Sequence, residues 1–347
     1  MTVLHYAIIG CGVIGPVHAQ AIAQLPDAQL TAACDVVRAR AEEVGREYQL
    51  STIEEDYHAL LVRKDIDAVC ICVPHYLHAE IAVAAANAGK HVFCEKPMAI
   101  DPAEMDAMIQ AADRAGVQLG VCFQHRFDPA ARQLKALVET GKFGRLLLGG
   151  AYIRCVRDAA YYHQGAWRGT WAMEGGGVLI NQAIHTIDLL LWLFGTATAI
   201  SGTFSTLRWG EVIEVEDTAT GMLSFVNGAQ GHIAATSASN LDWNARLHIF
   251  GTGGSAVLNT GFPDAFTFLE LSEGDAPPPI EEEVLPTVGK ACYGNSHIRA
   301  LAAVTTAVRS GSRLPIEGAE GRRAAEVVLG LYRSSRTGQS VRLPLEE

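Results

Sequence analysis

The sequence predicts an α/β domain with a doubly wound parallel sheet, joined to an α+β domain built on a large, mostly antiparallel open sheet. Three observations carry this expectation. Short runs rich in β-branched residues alternate with segments of helical period over the first 125 residues. A glycine turn, Gly10-Cys-Gly12-Val-Ile-Gly15, lies directly between the first such run and the first helix. Beyond about residue 140 the pattern changes to longer strands divided by turn signals. The expected domains are 1–125 and 126–347, with the C-terminal segment able to pack back on the first.

The expected parallel strands are Leu4–Ile9, Leu30–Cys34, Ala68–Val73, His91–Cys94 and Val117–Cys122. Between them fall helices at Ile14–Leu25, Arg38–Tyr48, Leu77–Ala88 and Pro102–Ala115. Asp101 caps the last of these, and Pro102 fills a first-turn position where a missing N–H costs nothing. A helix at Pro129–Thr140 leads into the second domain, whose strands begin at Leu146–Val156 and resume from Ala197 through Leu285. Helices at Gly177–Phe194, Asn295–Arg309 and Glu317–Ser334 complete it. The stretch Gly274–Pro279, with three consecutive prolines that cannot join a ladder, reads as a surface loop.

At 347 residues and 49% hydrophobic content the chain is long and apolar enough for two cores, which excludes a disordered protein. A formal net charge of -11 argues against nucleic acid or a membrane surface as the main partner. The N-terminus MTVLHYAIIG has no basic stretch ahead of a long apolar one, and no later run reaches the length of a membrane span. A cytoplasmic protein is expected. The eight cysteines include no Cys-x-x-Cys pair and sit mostly in strand-like apolar segments, so they read as reduced core residues. Cys70 and Cys72 would share a strand face, but no second pair or histidine cluster accompanies them, and no metal is expected. Cys94, beside Glu95 and Lys96, reads as a small buried hydrophobe in preference to a reactive thiol.

The glycine turn has the context that gives such a motif meaning, a strand before it and a helix after it. Gly10 permits the tight turn, Gly12 lets a pyrophosphate approach the backbone, and Gly15 lets the helix press on the strand. The helix N-terminus, entered through Val13 and Ile14, offers N–H groups and a favourable dipole to phosphate. The turn is expected to be the phosphate-binding turn of a Rossmann domain, the other reading being a glycine turn with no ligand. Asp35 ends the second strand, where a carboxylate accepts both hydroxyls of an adenine ribose and repels a 2′-phosphate. Val36 and Val37 follow it, so the expected cofactor is NAD over NADP, with Arg38 the one nearby residue that weakens the preference. The alternative for Asp35 is a solvated turn residue.

Two later segments carry reacting groups. Cys94-Glu95-Lys96-Pro97-Met98 follows the fourth expected strand, at the carboxyl edge where open α/β sheets bind ligands. Gly175-Gly-Gly177-Val-Leu-Ile-Asn181-Gln-Ala-Ile-His185-Thr-Ile-Asp188 is a glycine entry into a helix, with Asn181, His185 and Asp188 at spacings of four and three that place them on one face.

With these residues in view the chain resembles the Gfo/Idh/MocA family of oxidoreductases, the group of glucose-fructose oxidoreductase and inositol dehydrogenase. The likeness runs nearly end to end. It takes in the glycine turn with His18 after it, Pro74 to His78, Glu95 to Pro97, Arg126 in QHRFDP, the Trp167-Arg-Gly-Thr-Trp171 segment, the glycine-to-histidine helix, and Glu216-Asp217-Thr218. The resemblance implies a hydride transfer between NAD and a hydroxyl-bearing carbon of a sugar, polyol or sugar derivative. It implies that Lys96 positions the substrate hydroxyl, that His185 takes or gives its proton, and that Asn181 and Tyr162 line the substrate. It also implies cofactor contacts from Val73, Pro74, His78, Glu95, Lys96, Arg126, Trp167 and Arg168. A group titrating near neutrality suits the proton step. One departure stands out: the family commonly has aspartate where this chain has Asn181, which hydrogen-bonds a hydroxyl but brings no charge.

Tyr161, Tyr162, His163, Trp167, Arg168 and Trp171 form an aromatic cluster suited to the C–H face of a sugar, or to filling a domain interface. Arg154, Arg157 and Arg168 match a carboxylate or phosphate, or serve as solvated or cofactor-holding groups. Two other readings share these motifs: a non-catalytic NAD sensor, expected to have lost Lys96 or His185, and a redox-neutral lyase or hydrolase that borrows the hydride. The second sheet has an open face to cover, and the resemblance implies that another subunit covers it, so a homodimer or homotetramer is expected.

Overall fold

The apolar runs of the first 122 residues assemble into a six-stranded parallel sheet: β1 (Leu4–Ile9), β2 (Ala28–Cys34), β3 (Thr52–Glu54), β4 (Ala68–Ile71), β5 (His91–Glu95) and β6 (Leu119–Cys122). Residues buried on both faces of β1, β4 and β6 explain why these runs are almost uniformly apolar. Their spatial order is β3-β2-β1-β4-β5-β6, so the direction of winding reverses between β1 and β4. The glycine turn leaves the carboxyl end of β1 at that reversal, where such sheets bind ligands. Helices α1 (Gly15–Ala23), α2 (Arg38–Tyr48), α3 (Tyr57–Leu61), α4 (His78–Asn87) and α5 (Pro102–Ala115) supply the crossovers. Asp101 caps α5 by accepting the Ala103 amide at 2.8 Å, as its sequence foretold.

The computed structural model describes residues 3–240, 243–261, 264–274 and 295–345. They divide into two compact units. The first holds 3–124 together with 295–322, the second the other described residues. Helix α9 (Ser296–Ser310) belongs to the first unit, where the Tyr6 hydroxyl and Thr305 Oγ1 lie 2.8 Å apart. Most of the loop expected at Gly274–Pro279, the end of the strand region toward Leu285, and Cys292 lie outside the described residues.

The second unit carries an eight-stranded sheet. Its strands are β7 (Leu146–Arg154), β8 (Ala197–Ser205), β9 (Thr218–Phe225), β10 (Gln230–Thr236), β11 (Asn244–Gly251), β12 (Gly254–Asn259), β13 (Ala265–Leu271) and β14 (Val341–Arg342). The order is β13-β12-β11-β7-β10-β9-β8-β14, antiparallel throughout except for the β7–β10 pair. Helices α6 (Pro129–Glu139), α7 (Ala159–Tyr162) and α8 (Ile184–Phe194) precede most of these strands. Helix α10 (Gly318–Thr337) starts in the first unit and ends in the second.

Element boundaries depart from expectation in informative places. The helix expected at Gly177–Phe194 is not continuous: a π-helical turn, Leu179–Ala183, precedes α8. Such turns widen the helix locally and recur at functional sites. The three-residue β3 and the short α3 were not anticipated. Strand β4 stops at Ile71, two residues before the expected end, because the chain turns into Pro74 and the short 3-10 segment His75–Leu77.

Candidate active site

In the first unit the three glycines of the turn differ in what they leave room for. Gly10 has φ +95°, and a β-carbon there would lie 2.4 Å from the Cys72 carbonyl oxygen. A β-carbon on Gly15 would lie 2.2 Å from the Gly10 carbonyl oxygen. Gly12 has nothing within 4 Å of that position, so the turn is tight at its ends and open in the middle. The N-terminus of α1 has no side-chain cap. Open space beside uncapped helical amides is the fit that a pyrophosphate requires.

Asp35 closes the turn. Its two carboxylate oxygens accept the Cys11 and Val37 amides, each at 2.8 Å, so the end of β2 is tied to the glycine turn. Each oxygen retains a second lone pair for a ribose hydroxyl. Val13, Val36 and Val37 are exposed around it, an apolar rim of the kind an adenine covers. Arg38 donates to Glu42 at 2.8 Å and to Glu55 at 3.4 Å, so two carboxylates already balance its charge. Arg40 stands 4.0 Å from Asp35 Oδ1, and the carboxylate itself disfavours a 2′-phosphate, so the geometry suits NAD. The chain supplies what a dinucleotide needs: an anion cradle, a ribose acceptor and an apolar rim.

Lys96 follows β5 directly. Its amide donates to Glu95 Oε2 at 3.2 Å, and the Glu95 carboxylate is the hub of a buried cluster. Glu95 Oε1 lies 2.7 Å from His18 Nε2 and 3.7 Å from His297 Nε2, with Cys122 alongside. Burial alone would raise the Glu95 carboxyl, but the hydrogen bonds and charges of His18 and His297 hold it well below the usual carboxylate range. The four donor atoms lie within 4.8 Å of one another. Tetrahedral zinc ligands at about 2.0 Å from the ion stand roughly 3.3 Å apart, so the 2.7 Å contact is a hydrogen bond and the group reads as a proton-linked hub. His78, fully buried, spans the Pro97 and Val73 carbonyls at 2.7 and 3.0 Å and fixes the turn on the other side of Lys96. Burial pushes the Cys94 thiol well up, which matches its reading as a packed, unreactive side chain.

In the second unit, Glu216 organises the entry to the helix. It accepts the Gly177 and Leu179 amides at 2.8 and 2.9 Å and the Tyr332 hydroxyl at 2.8 Å. Its burial is complete and pushes its carboxyl up to about 7, against the opposing effect of those three donors. Asn181, in the π-helical turn, donates from Nδ2 to Glu174 and to the Tyr161 hydroxyl. Both Nδ2 contacts hold the amide nitrogen toward Glu174 and Tyr161. His185 stands two residues into α8 and meets the His125 ring edge-on, centroids 5.0 Å apart. Asp188 takes a bidentate pair from buried Arg126, at 2.6 and 2.7 Å.

The polar residues of this helix therefore engage different partners: Asn181 meets Glu174 and Tyr161, His185 meets His125, and Asp188 meets Arg126. Tyr162 is buried against Ile213 and Val215, its hydroxyl 3.1 Å from Ser237 Oγ. Its neighbour Tyr161 is the tyrosine that contacts Asn181 and Gln182. Arg168 donates to the Tyr161 hydroxyl at 2.6 Å and lies over the Trp167 ring. Arg157 also lies over Tyr161. Sequence reasoning missed Glu174, His125, Asp128 and His297. His125 and Asp128 flank Arg126 in QHRFDP and were within reach; His297 is about two hundred residues from Glu95 and gave no local signal.

A parallel sheet with a dinucleotide cradle at its switch point, followed by a second domain on an open sheet, defines an NAD-dependent oxidoreductase. Residues 4–123 match the oxidoreductase family with NAD-binding Rossmann fold, GFO/IDH/MocA, and residues 131–257 match that family's C-terminal domain. The chain belongs to the GFO/IDH/MocA family. It is 32% identical to levoglucosan dehydrogenase of Pseudarthrobacter phenanthrenivorans, over 74% of this chain and 73% of that protein. It is 31% identical to scyllo-inositol 2-dehydrogenase (NAD(+)) of Bacillus subtilis, over 73% of each chain. The crystal structure of the WlbA dehydrogenase from Bordetella pertussis, in complex with NADH and UDP-GlcNAcA, superposes with a TM-score of 0.87 at 28% identity and covers 99% of this chain and 100% of that one.

Proposed function

We propose that the protein transfers a hydride between NAD and a hydroxyl-bearing carbon of a sugar, polyol or sugar derivative, with Lys96 positioning the hydroxyl and His185 moving its proton. The observation that carries this reading is the cradle open at Gly12 and closed by Asp35, in a chain similar over most of its length to dehydrogenases of levoglucosan and scyllo-inositol. NAD, when bound, accepts the electron pair of the substrate C–H bond as hydride. His185 takes the hydroxyl proton as the O–H bond breaks and the carbonyl forms, then passes it to water. Lys96 donates a hydrogen bond to the substrate oxygen, and its positive charge stabilises the alkoxide character that develops there. Asn181, its amide fixed by Glu174, presents a carbonyl oxygen to a neighbouring hydroxyl. Tyr162, Arg126, Trp167 and Arg168 shape the surroundings.

The same reading includes a homo-oligomer built on the eight-stranded sheet, in a reducing, cytoplasmic setting. Register aligns Met222, His232, Gly150, His248, Val257 and Phe268 in one row across its strands. Met222 and Phe268 of this row are exposed, a face suited to a second copy. The described cysteines are free thiols, and no helix among the described residues is long and apolar enough to cross a membrane.

The test is a panel of scyllo-inositol, levoglucosan and D-glucose offered with NAD and with NADP separately. Growth of the NADH absorbance with NAD and at least one of these substrates is expected. Turnover of a substrate without NADH accumulation would point to a redox-neutral cycle, and no turnover of any by NAD-saturated protein would overturn the reading. Light scattering at micromolar concentration is expected to give at least the dimer mass.

A further inference from the structure

Helix α6 opens at Pro129, which leaves Asp128 at its N-cap, yet the Asp128 side chain makes no cap bond. Asp264 does that work instead, accepting the Ala130 and Ala131 amides at 2.9 and 3.2 Å. Relieved of capping, Asp128 turns to His125, with Oδ2 and Nδ1 2.7 Å apart. Both residues are buried, at 7% exposure for His125 and 4% for Asp128. On its other side His125 meets His185 in an edge-to-face arrangement at 78°. An imidazole bonded to a buried carboxylate is thereby set against the imidazole that moves the substrate proton.

We propose that His125 and Asp128 are positioning residues for His185, the Asp128 carboxylate acting on it through the His125 ring. The proposal rests on the reading of His185 given above. Charged groups next to the pair include Asp264, whose carboxyl feels the charges of Asp128 and His125, and the ion pair of Asp188 with Arg126, the residue after His125. The carboxylate of Asp128 behind the His125 ring stabilises an imidazolium at His185 and makes its neutral form a stronger base. Asp264 responds to the same crowding: burial and then the charge of Asp128 push its carboxyl up to about 6.

The experiment follows the imidazole C–H signals of NAD-bound protein by NMR across pH, with His185 assigned by its disappearance in His185→Gln. In Asp128→Asn, which keeps the side-chain shape, the His185 midpoint is expected to fall by roughly half a unit to one unit. His125→Gln should also shift it, and Asp128→Glu should leave it near the wild-type value. An unmoved His185 midpoint in both Asp128→Asn and His125→Gln, with thermal melts showing folded protein, overturns the proposal. Kinetics on whichever panel substrate turns over separates the two levels of inference. If His185 is the base, the acid limb of the kcat profile shifts to lower pH with the NMR midpoint while KM holds. A midpoint that shifts without the limb upholds the coupling and refutes the role given to His185.

Discussion

The Asp35 carboxylate accepts the Cys11 backbone amide at 2.8 Å, so the residue that would read the cofactor's ribose also holds the turn that would read its phosphates. Replacing it should therefore damage affinity twice over. Asp35→Ala is expected to weaken NADH binding by about 10- to 100-fold in a fluorescence titration, the loss of one to two charge-assisted hydrogen bonds. An affinity within twofold of wild type would remove Asp35 from the cofactor site.

The glycines of the turn should separate folding from binding. Gly12→Val places its side chain in open space and is expected to leave the melting temperature within a few degrees while NADH affinity drops at least tenfold. Gly15→Ala drives a methyl against the Gly10 carbonyl and should lower the melting temperature. Equal affinity in Gly12→Val and wild type would leave the open middle of the turn without a purpose.

Lys96→Ala and His185→Ala are each expected to cut kcat by about a hundredfold or more while changing the Kd for NAD by less than about threefold. Near-normal turnover in both would reject the proposed chemistry.

Glu216 gives a pH signature. Its folded-state carboxyl sits at about 7, above the ordinary 4.5, so its contribution to stability is full below 4.5 and is lost as pH rises through 7. A shift of this size corresponds to about 3 kcal/mol. Glu216→Gln cannot titrate. Urea midpoints should show the variant's deficit relative to wild type shrinking between pH 5 and pH 8; a constant deficit would show that Glu216 is ionised throughout.

The buried pair of Arg126 and Asp188 should behave as a unit. Arg126→Met strands a carboxylate at 1% exposure and is expected to cost about 3–5 kcal/mol in urea denaturation. Adding Asp188→Leu should recover much of that loss. Additive losses in the double variant would mean the pair is not coupled.

What was legible in the sequence was what is local. The strand from Leu4 to Ile9, the glycine turn and the helix after it are contiguous, and the structure shows them as expected. Arg38–Tyr48 and Pro102–Ala115 also match their expected bounds, the second because the Asp101 cap and the helical period agree there. Thr52–Glu54 escaped because three residues with Ile53 as their one large apolar side chain are too short to show alternation. The parallel β7–β10 pair joins segments some eighty residues apart, and no turn between them announces it. The π-helical turn at Leu179–Ala183 is invisible to periodicity, since one extra residue per turn looks like ordinary helix in a run so apolar. At the site, Asn181 and His185 were legible as residue types in a helix, but His125, the partner of His185, comes from chain sixty residues earlier that folds back on it, and Glu174, though only seven residues from Asn181, lies in no regular element that would announce it.

His297 on Glu95 and Thr305 on Tyr6 both bring late sequence into an early domain. A ribosome that has released only the first 124 residues has made the six strands but not the helix that completes their core, and Glu95 waits with one imidazole in place of two. The nucleotide-binding half thus closes only after strands β7 to β13 have been made. A fragment cut after the sixth strand is expected to fold poorly unless residues 295–322 are given back to it.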